Sequence, residues 1–339
     1  MEPVVALRRI SYLLERNGAD TYKVRAFRNA AAAVAPMSRS ELSTLAAAGR
    51  LQSIPGVGKS TAQAISEALA GGVPAYLESL ESEPPPISLE APVRALLEQL
   101  QGDCHSHSDW SDGGSSIEEM AEAARDLGHG YLVLTDHSAR LTVAHGLNAE
   151  RLRNQLEVVE ALNRDMSPFR ILTGIEVDIL EDGSLDQDPD LLAELDVVVA
   201  SLHSKLRMES RVMTKRMLAA IENPHTDILG HCTGRLISGK GRPQSTFDAE
   251  AVFAACAATG TAVEINSRPE RQDPPEDLLR LAIEMGCLVS IDTDAHAPGQ
   301  LEWLGRGCAN AIRAEVPEER VVNRMAAADL VAWASTHAA

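Results

Sequence analysis

From Gly102 onward the sequence alternates short apolar runs with segments of helical periodicity, and five of the six runs stop on, or just beside, a histidine or a carboxylate. The runs are Tyr131 to Leu134, Ile171 to Ile179, Val197 to Leu202, Asp227 to Gly230, Ala262 to Ile265 and Leu288 to Ile291. Between them, Ser116 to Leu127, Ala149 to Arg164, Arg211 to Glu222, Asp248 to Thr259 and Pro275 to Met285 carry the helical pattern. Strands that alternate with helices in this way run parallel and need crossover connections, which predicts an α/β barrel or an open α/β sheet. In both architectures, residues at the C-terminal ends of the strands converge on one face.

The polar tips of these runs define the predicted chemistry. Asp103-Cys104-His105-Ser106-His107 opens the region with imidazoles at i and i+2, which on a strand project to one side. Asp112 follows, then Thr135-Asp136-His137, Gly174-Ile175-Glu176, Ser201-Leu202-His203, His231 after Gly230, and Asp294-Ala295-His296. Nine residues of ligand type, His105, His107, Asp112, His137, Glu176, His203, His231, Asp294 and His296, are therefore expected at one face. A lone histidine at a strand end is usually a hydrogen-bonded residue without a special role. Six of ten histidines in such places, with paired ligands at i and i+2, are not explained that way, whereas His129, His145, His225 and His337 are read as structural or solvent residues. Imidazole and carboxylate without thiolate favour Mn, Zn or Fe, and the set is too large for one ion, so two or three divalent metal ions are expected. Two ions roughly 3.5 to 4 Å apart can activate water and hold phosphoryl oxygens, which is the logic of metal phosphoesterases. Arg235, Arg268 and Arg271 are placed to stabilise charge on a phosphate, as is Lys205, and Asn266 could orient the substrate.

HSHSDWSDG, LTDH, GIEVDIL, SLHS, DILGH and IDTDAH, in this order, resemble the motif series of the PHP (polymerase and histidinol phosphatase) family over roughly residues 100 to 335. MTKRMLAAIENPHTDILGHCTGRL and AVEINSRPERQDPP are closer still to the PHP domain of bacterial family X DNA polymerases. The resemblance implies an α/β fold, a distorted (β/α)7 barrel, and a trinuclear site. In that scheme His105, His107, Glu176 and Asp294 hold one metal, Glu176, His203 and His231 a second, and Asp112, His137 and His296 a third. Glu176 and Asp294, with Arg235 and Arg268, are the expected catalytic group.

Residues 1–80 differ in character: nine basic against six acidic side chains, a net of +3, while the rest of the chain carries -21 of the overall -18. They read as short helices, with Ile54-Pro55-Gly56-Val57-Gly58 before a helix that starts near Ser60. This segment resembles a helix-hairpin-helix and the small N-terminal DNA-binding domain of family X polymerases. Gly56, Gly58, Lys59 and Ser60 would then meet a DNA phosphate without reading bases, because glycines let backbone approach and helix N-termini receive anions. Gly56 to Thr61 is not a P-loop: Ser53 stands where glycine is required, and no strand precedes it, so no nucleoside triphosphate is expected. A proline-rich linker and connecting helix are expected over 81–100, with the PHP metallo-phosphoesterase domain over 101–339.

Where a family X polymerase carries its palm, residues 81–100 leave no room for one. Gly183-Ser184 with Asp186 and Asp188 imitates palm elements only in a short acidic loop, so DNA synthesis is not expected. No apolar stretch is long enough to span a bilayer and no signal sequence is evident, so no membrane partner and a cytoplasmic location are expected. Five cysteines without a CxxC pair suggest neither a disulfide framework nor a zinc knuckle. The expected function is a metal-dependent DNA phosphodiesterase, a 3′-5′ exonuclease or 3′-end-processing nuclease. The alternatives are a phosphomonoesterase of the histidinol-phosphatase kind and a non-catalytic DNA-binding protein with a structural metal cluster.

Overall fold

A computed structural model describes residues 1–84 and 89–337. The chain divides into two compact units, Met1–Ser88 and Leu89–Ala339. Of the expected proline-rich linker, residues 85–88 lie outside the described residues. Its flanks form the short helices Ala75–Ser82 and Ala91–Leu97. Among the described residues, no helix is long and apolar enough to cross a membrane.

The N-terminal unit is helical, with Pro3–Arg16, Thr21–Val34, Arg39–Ala47, Lys59–Leu69 and Ala75–Ser82 as its α-helices. Pro3 presets the first helical turn, and Leu7, Ile10, Leu13 and Leu14 fall on one face and are buried. Ser38 and Glu41 form a reciprocal capping box that starts the third helix. Phe27, Ile65 and Leu77 join these leucines in the core. Between the third and fourth helices, Gly56 takes φ +88°, a conformation that favours glycine and turns the chain into the next helix.

The second unit is a seven-stranded parallel sheet in the sequential order β1 (Gly102–Ser106), β2 (Tyr131–Leu134), β3 (Arg170–Asp178), β4 (Val197–Ser201), β5 (Ile228–Leu229), β6 (Ala262–Asn266) and β7 (Val289–Asp292). Apolar runs without alternation suit strands covered on both faces, and burial is almost complete along them. Sequential order curls the sheet into a nearly closed barrel. The seam between β1 and β7 is not a regular ladder, and β1 also shifts register against β2 between Asp103 and Ser106. A single bridge, Ser106 to Ala295, joins them at the C-terminal end, and Asp292 accepts the Cys104 amide at 2.8 Å. At the other end Asn323 fills the gap. Its Nδ2 donates to Gly102 O (2.9 Å) and Ile291 O (2.7 Å), while its Oδ1 accepts from Ile291 N (3.1 Å). Buried backbone groups must be paired, and here a side chain supplies what a strand supplies elsewhere.

Candidate metal centre

All nine expected side chains stand at the C-terminal ends of strands or on the loops that follow. His105 lies on β1 and Glu176 on β3, so their strands fix them; the others depend on loops. Asp136 anchors two of those loops. Its buried carboxylate accepts Ser108 N at 2.8 Å and Gln155 Nε2 at 2.7 Å, and also takes the Ser108 and Ser111 hydroxyls. This ties the segment carrying Asp112 to β2. Asp294 holds its place with φ +54°, a backbone region that aspartate tolerates better than most residues.

Glu176 is the hub. Its carboxylate oxygens lie 2.8 Å from His137 Nδ1, 2.8 Å from His231 Nε2, 3.3 Å from His203 Nε2, 3.4 Å from His105 Nε2 and 3.6 Å from His107 Nε2. His107 also reaches Asp294 Oδ1 at 3.4 Å, and Asp112 reaches His296 Nε2 at 3.2 Å and His137 Nε2 at 3.5 Å. Three groups have ligand atoms within 4.8 Å of one another: His107, Asp112, His137 and His296; His105, His107 and Asp294; His137, Glu176 and His203. This grouping differs from the partition implied by the family resemblance. His107 and His137 are shared between groups, and Glu176, grouped with His137 and His203, also lies within 3.6 Å of His105, His107 and His231.

The donor set fits divalent cations. His105 Nε2, both ring nitrogens of His107, His137 Nδ1, Glu176 Oε2, His203 Nε2 and His231 Nδ1 are buried and none makes a well-directed hydrogen bond among the described residues, although His137 Nδ1 and Glu176 Oε2 face each other at 2.8 Å. Each such atom costs about 1–3 kcal/mol unless something satisfies it. A cluster of this size around one carboxylate is expected where cations supply the missing interactions.

Electrostatics set the same pattern. Burial pushes Glu176 up, but the imidazoles of His105, His203 and His137 outweigh it and hold the carboxyl well below its usual range. Burial likewise raises Asp294, and Arg268, His107, His105 and Arg271 bring it well below. Burial, with His296 and His137 nearby, pushes His107 far down, which favours the neutral imidazole a metal requires. Burial lowers His203 too, yet Glu176 and Asp178 pull it up to about 9.

Two carboxylates absent from the sequence reading orient the imidazoles. Glu264 Oε1 lies 2.6 Å from His105 Nδ1, and Asp178 Oδ1 lies 2.8 Å from His203 Nδ1. Such contacts fix the ring so that the other nitrogen faces the site. Asp178 was signalled by its i+2 relation to Glu176 on one strand. Glu264 was signalled by being an acid inside the apolar run of β6.

Arg235 does not turn toward the carboxylates: its Nε donates to Arg271 O at 3.0 Å and a second nitrogen donates to Gln272 O, so it braces the loop after β6. Two of its donors are thus committed to backbone carbonyls. Arg268 Nη1 lies 3.1 Å from His296 Nδ1 and 3.4 Å from Asp294 Oδ1. Arg271 Nε donates to Asp294 Oδ2 at 3.1 Å, and its Nη1 is buried without a partner among the described residues. Asn266 Nδ2 is 3.3 Å from Asp294 Oδ2, which positions that carboxylate. Asp186 and Asp188 are structural, the first accepting Ser138 Oγ at 2.6 Å and Asp178 N at 2.8 Å, the second capping a helix.

In the N-terminal unit, Gly58 precedes the helix Lys59–Leu69 and donates its N–H to Thr61 Oγ1 at 2.9 Å. Gly56, Gly58, Lys59 and Ser60 are all exposed, whereas Val57 between the glycines is buried. The hairpin is thus pinned by its apolar residue and presents its polar ones.

A family model described as "PHP domain" matches residues 103–268 and one described as "Helix-hairpin-helix domain" matches residues 2–74. The DNA polymerase/3'-5' exonuclease PolX of Bacillus subtilis is 42% identical over 237 residues, covering 70% of this chain and 41% of that protein. This chain therefore spans less than half the length of that relative. A probable phosphatase of Thermoanaerobacter sp. is 30% identical over 236 residues, covering 65% of this chain and 89% of that protein. The crystal structure of a histidinol phosphate phosphatase from Lactococcus lactis aligns with a TM-score of 0.46 and 18% identity over 63% of this chain and 93% of that one. The PHP match ends before Asp294 and His296, which the barrel returns to the same face as His107. The chain belongs to the PHP family, with a helix-hairpin-helix domain at its N-terminal side, and is a metal-dependent hydrolase of phosphate esters.

Proposed function

We propose that this chain cleaves phosphodiester bonds in DNA, working at 3′ ends as a 3′-5′ exonuclease or end-processing nuclease. The observation that carries the reading is one chain holding both a buried cluster of convergent imidazoles and carboxylates and an exposed glycine hairpin at a helix N-terminus. Two or three divalent ions, with Mn, Zn and Fe suited to this donor set, would supply an activated water and polarise the phosphoryl group. Glu176, ionised and central, keeps the imidazole nitrogens turned inward; Asp294 does the same for His107 while holding Arg268 and Arg271 at the rim. Those two guanidiniums face charge that grows on the phosphoryl oxygens. Arg235 keeps their loop in register. In the N-terminal unit, the free N–H groups of Lys59 and Ser60 receive a DNA phosphate, with Gly56 and Gly58 permitting close approach.

Support for DNA as partner comes from the helix-hairpin-helix match and from the exonuclease relative. The test is release of nucleotides from end-labelled DNA with each divalent metal. Asp294→Ala and His107→Ala are expected to abolish it, and retained activity in either variant overturns the assignment. Nucleotide incorporation by the purified protein would contradict the view that it makes no DNA. A second reading, hydrolysis of a small phosphate monoester, is favoured by the likeness to a probable phosphatase across 89% of that protein. Turnover of p-nitrophenyl phosphate without nucleotide release from DNA would decide for it.

A further inference from the structure

The loops around the metal centre are not electrically alike. Those following β4, β5 and β6, residues 202–209, 230–248 and 267–275, hold seven basic side chains and four acidic ones. Those following β1, β2 and β3, residues 107–116, 135–148 and 179–188, hold one basic side chain and seven acidic ones. Two of the four acids in the first set, Glu209 and Asp248, cap helices, and a third, Asp273, is buried and accepts Thr233 N at 3.1 Å. Of the seven acids in the second set, Asp136 is buried and hydrogen-bonded and Asp186 and Asp188 hold backbone, which leaves the exposed Asp109, Asp112, Glu181 and Asp182 against Arg140, so the rim of the barrel is divided into a cationic and an anionic sector.

The cationic sector is one continuous surface. Ser245 Oγ donates to Leu206 O at 2.9 Å, joining the loops after β4 and β5, and Ile237 N donates to Glu270 O at 2.7 Å, joining those after β5 and β6. Arg235 adds its contacts to Arg271 O and Gln272 O. Across this surface the basic groups deepen in order. Arg207 and Lys240 are exposed; Arg235, Arg242 and Arg268 are half-buried; Arg271 touches Asp294 within the site. Lys205, 3.7 Å from Glu181, marks the border with the anionic sector.

We propose that the phosphodiester strand reaches the metal centre across the loops after β4, β5 and β6, with Arg207 and Lys240 holding backbone phosphates beyond the one being cleaved. The proposal rests on the nuclease reading above and names the path of the substrate. Phosphates on this path meet cations spaced toward the site, whereas the loops after β1 and β3 repel them within a Debye length of about 10 Å at 0.1 M salt. Contacts of this kind position a strand without selecting its sequence.

The test compares the full chain with R207E/K240E and with R153E/R164E, a charge-matched control on the helix Ala149–Met166. Each is assayed in Mn²⁺ on a single-stranded oligonucleotide of twenty nucleotides and on p-nitrophenyl phosphate. For R207E/K240E the ratio of oligonucleotide to small-ester kcat/KM is expected to fall at least tenfold, through KM. The logarithmic salt slope of oligonucleotide kcat/KM is expected to flatten by about 1.4, since a single-strand phosphate contact contributes about 0.7. The control is expected to shift the ratio less than threefold. Should the reversal fail to fold, R207Q/K240Q gives a smaller change of the same sign and the same flattening. Equal ratios in the two double variants, while the unmodified chain cleaves the oligonucleotide, overturn the path alone. An unmodified chain that turns over the small ester and leaves the oligonucleotide intact overturns the nuclease reading and this path with it.

Discussion

Glu176 sits out of reach of solvent among five imidazoles, while Lys59 and Ser60 stand exposed at the start of a helix in the other unit. The barrel buries polar atoms that have no hydrogen-bond partner among the described residues, which lowers the stability of any metal-free chain. The hairpin leaves Lys59 and Ser60 exposed and buries Thr61 only with its hydroxyl accepting the Gly58 N–H, which costs the fold little. A costly arrangement is strong evidence of function by itself, and an inexpensive one is not. The buried cluster is therefore marked by its own geometry, whereas a DNA-holding role of the hairpin shows only in what it binds.

Changes at the centre are where this contrast is most easily broken. Glu176→Gln removes the ionised hub and is expected to lower metal-dependent hydrolysis by ~10³-fold, the scale seen when a site loses a principal electrostatic element. A fall of less than tenfold in a folded variant would mean that the hub is dispensable. Next in size are the orienting carboxylates. Glu264→Gln or Asp178→Asn is expected to weaken metal affinity by ~10–100-fold, as loss of such contacts does elsewhere, with competition against a metal buffer as the readout. Affinity equal to the unmodified chain would show that His105 and His203 hold their orientation without them.

Acidity offers a third test. Glu176 and Asp178 hold His203 protonated up to about 9, so a cation must displace that proton. The raised pKa favours the proton as pH falls, and metal affinity is therefore expected to rise with pH toward 9, by about tenfold per unit where one proton is displaced. Proton release on loading, followed in two buffers of different ionisation enthalpy, checks this, and pH-independent affinity would exclude it. The smallest effect belongs to the hairpin. Gly56→Ala must hold φ near +88°, at a cost of about 1–2 kcal/mol. A weakened affinity for DNA measured by anisotropy is expected, by several-fold, and affinity unchanged in a folded variant would remove the hairpin from the DNA contact.

The sequence displays the nine histidines and carboxylates of the cluster because parallel strands place their C-terminal tips together, so residue type at each tip is enough to bring them to one face. His105 and His107 are legible from spacing alone. The barrel follows from the same alternation, as do the helices Ile117–Asp126 and Glu276–Glu284, whose expected bounds differ from the observed by a residue at most at each end. Other features depend on distances the chain does not write locally. Asn323 closes the seam with Gly102 from 221 residues away. Arg235 follows His231 closely in sequence, yet its guanidinium turns to the loop of Arg271. Glu264 reads as one acid in an apolar run until β1 and β6 bring it to His105. The sharing of His107 and His137 between groups reflects side-chain packing, which periodicity does not encode.

We propose that this buried cluster, loaded with divalent ions, cleaves DNA. Its most direct test is to strip the full chain with chelator, restore Mn²⁺ stepwise, and follow nucleotide release from a 3′-labelled strand. No release is expected from the stripped chain, a full rate at roughly two or three ions per chain, and none from Asp294→Ala at any loading. Release that survives chelation, or that proceeds from Asp294→Ala at the unmodified rate, would contradict it.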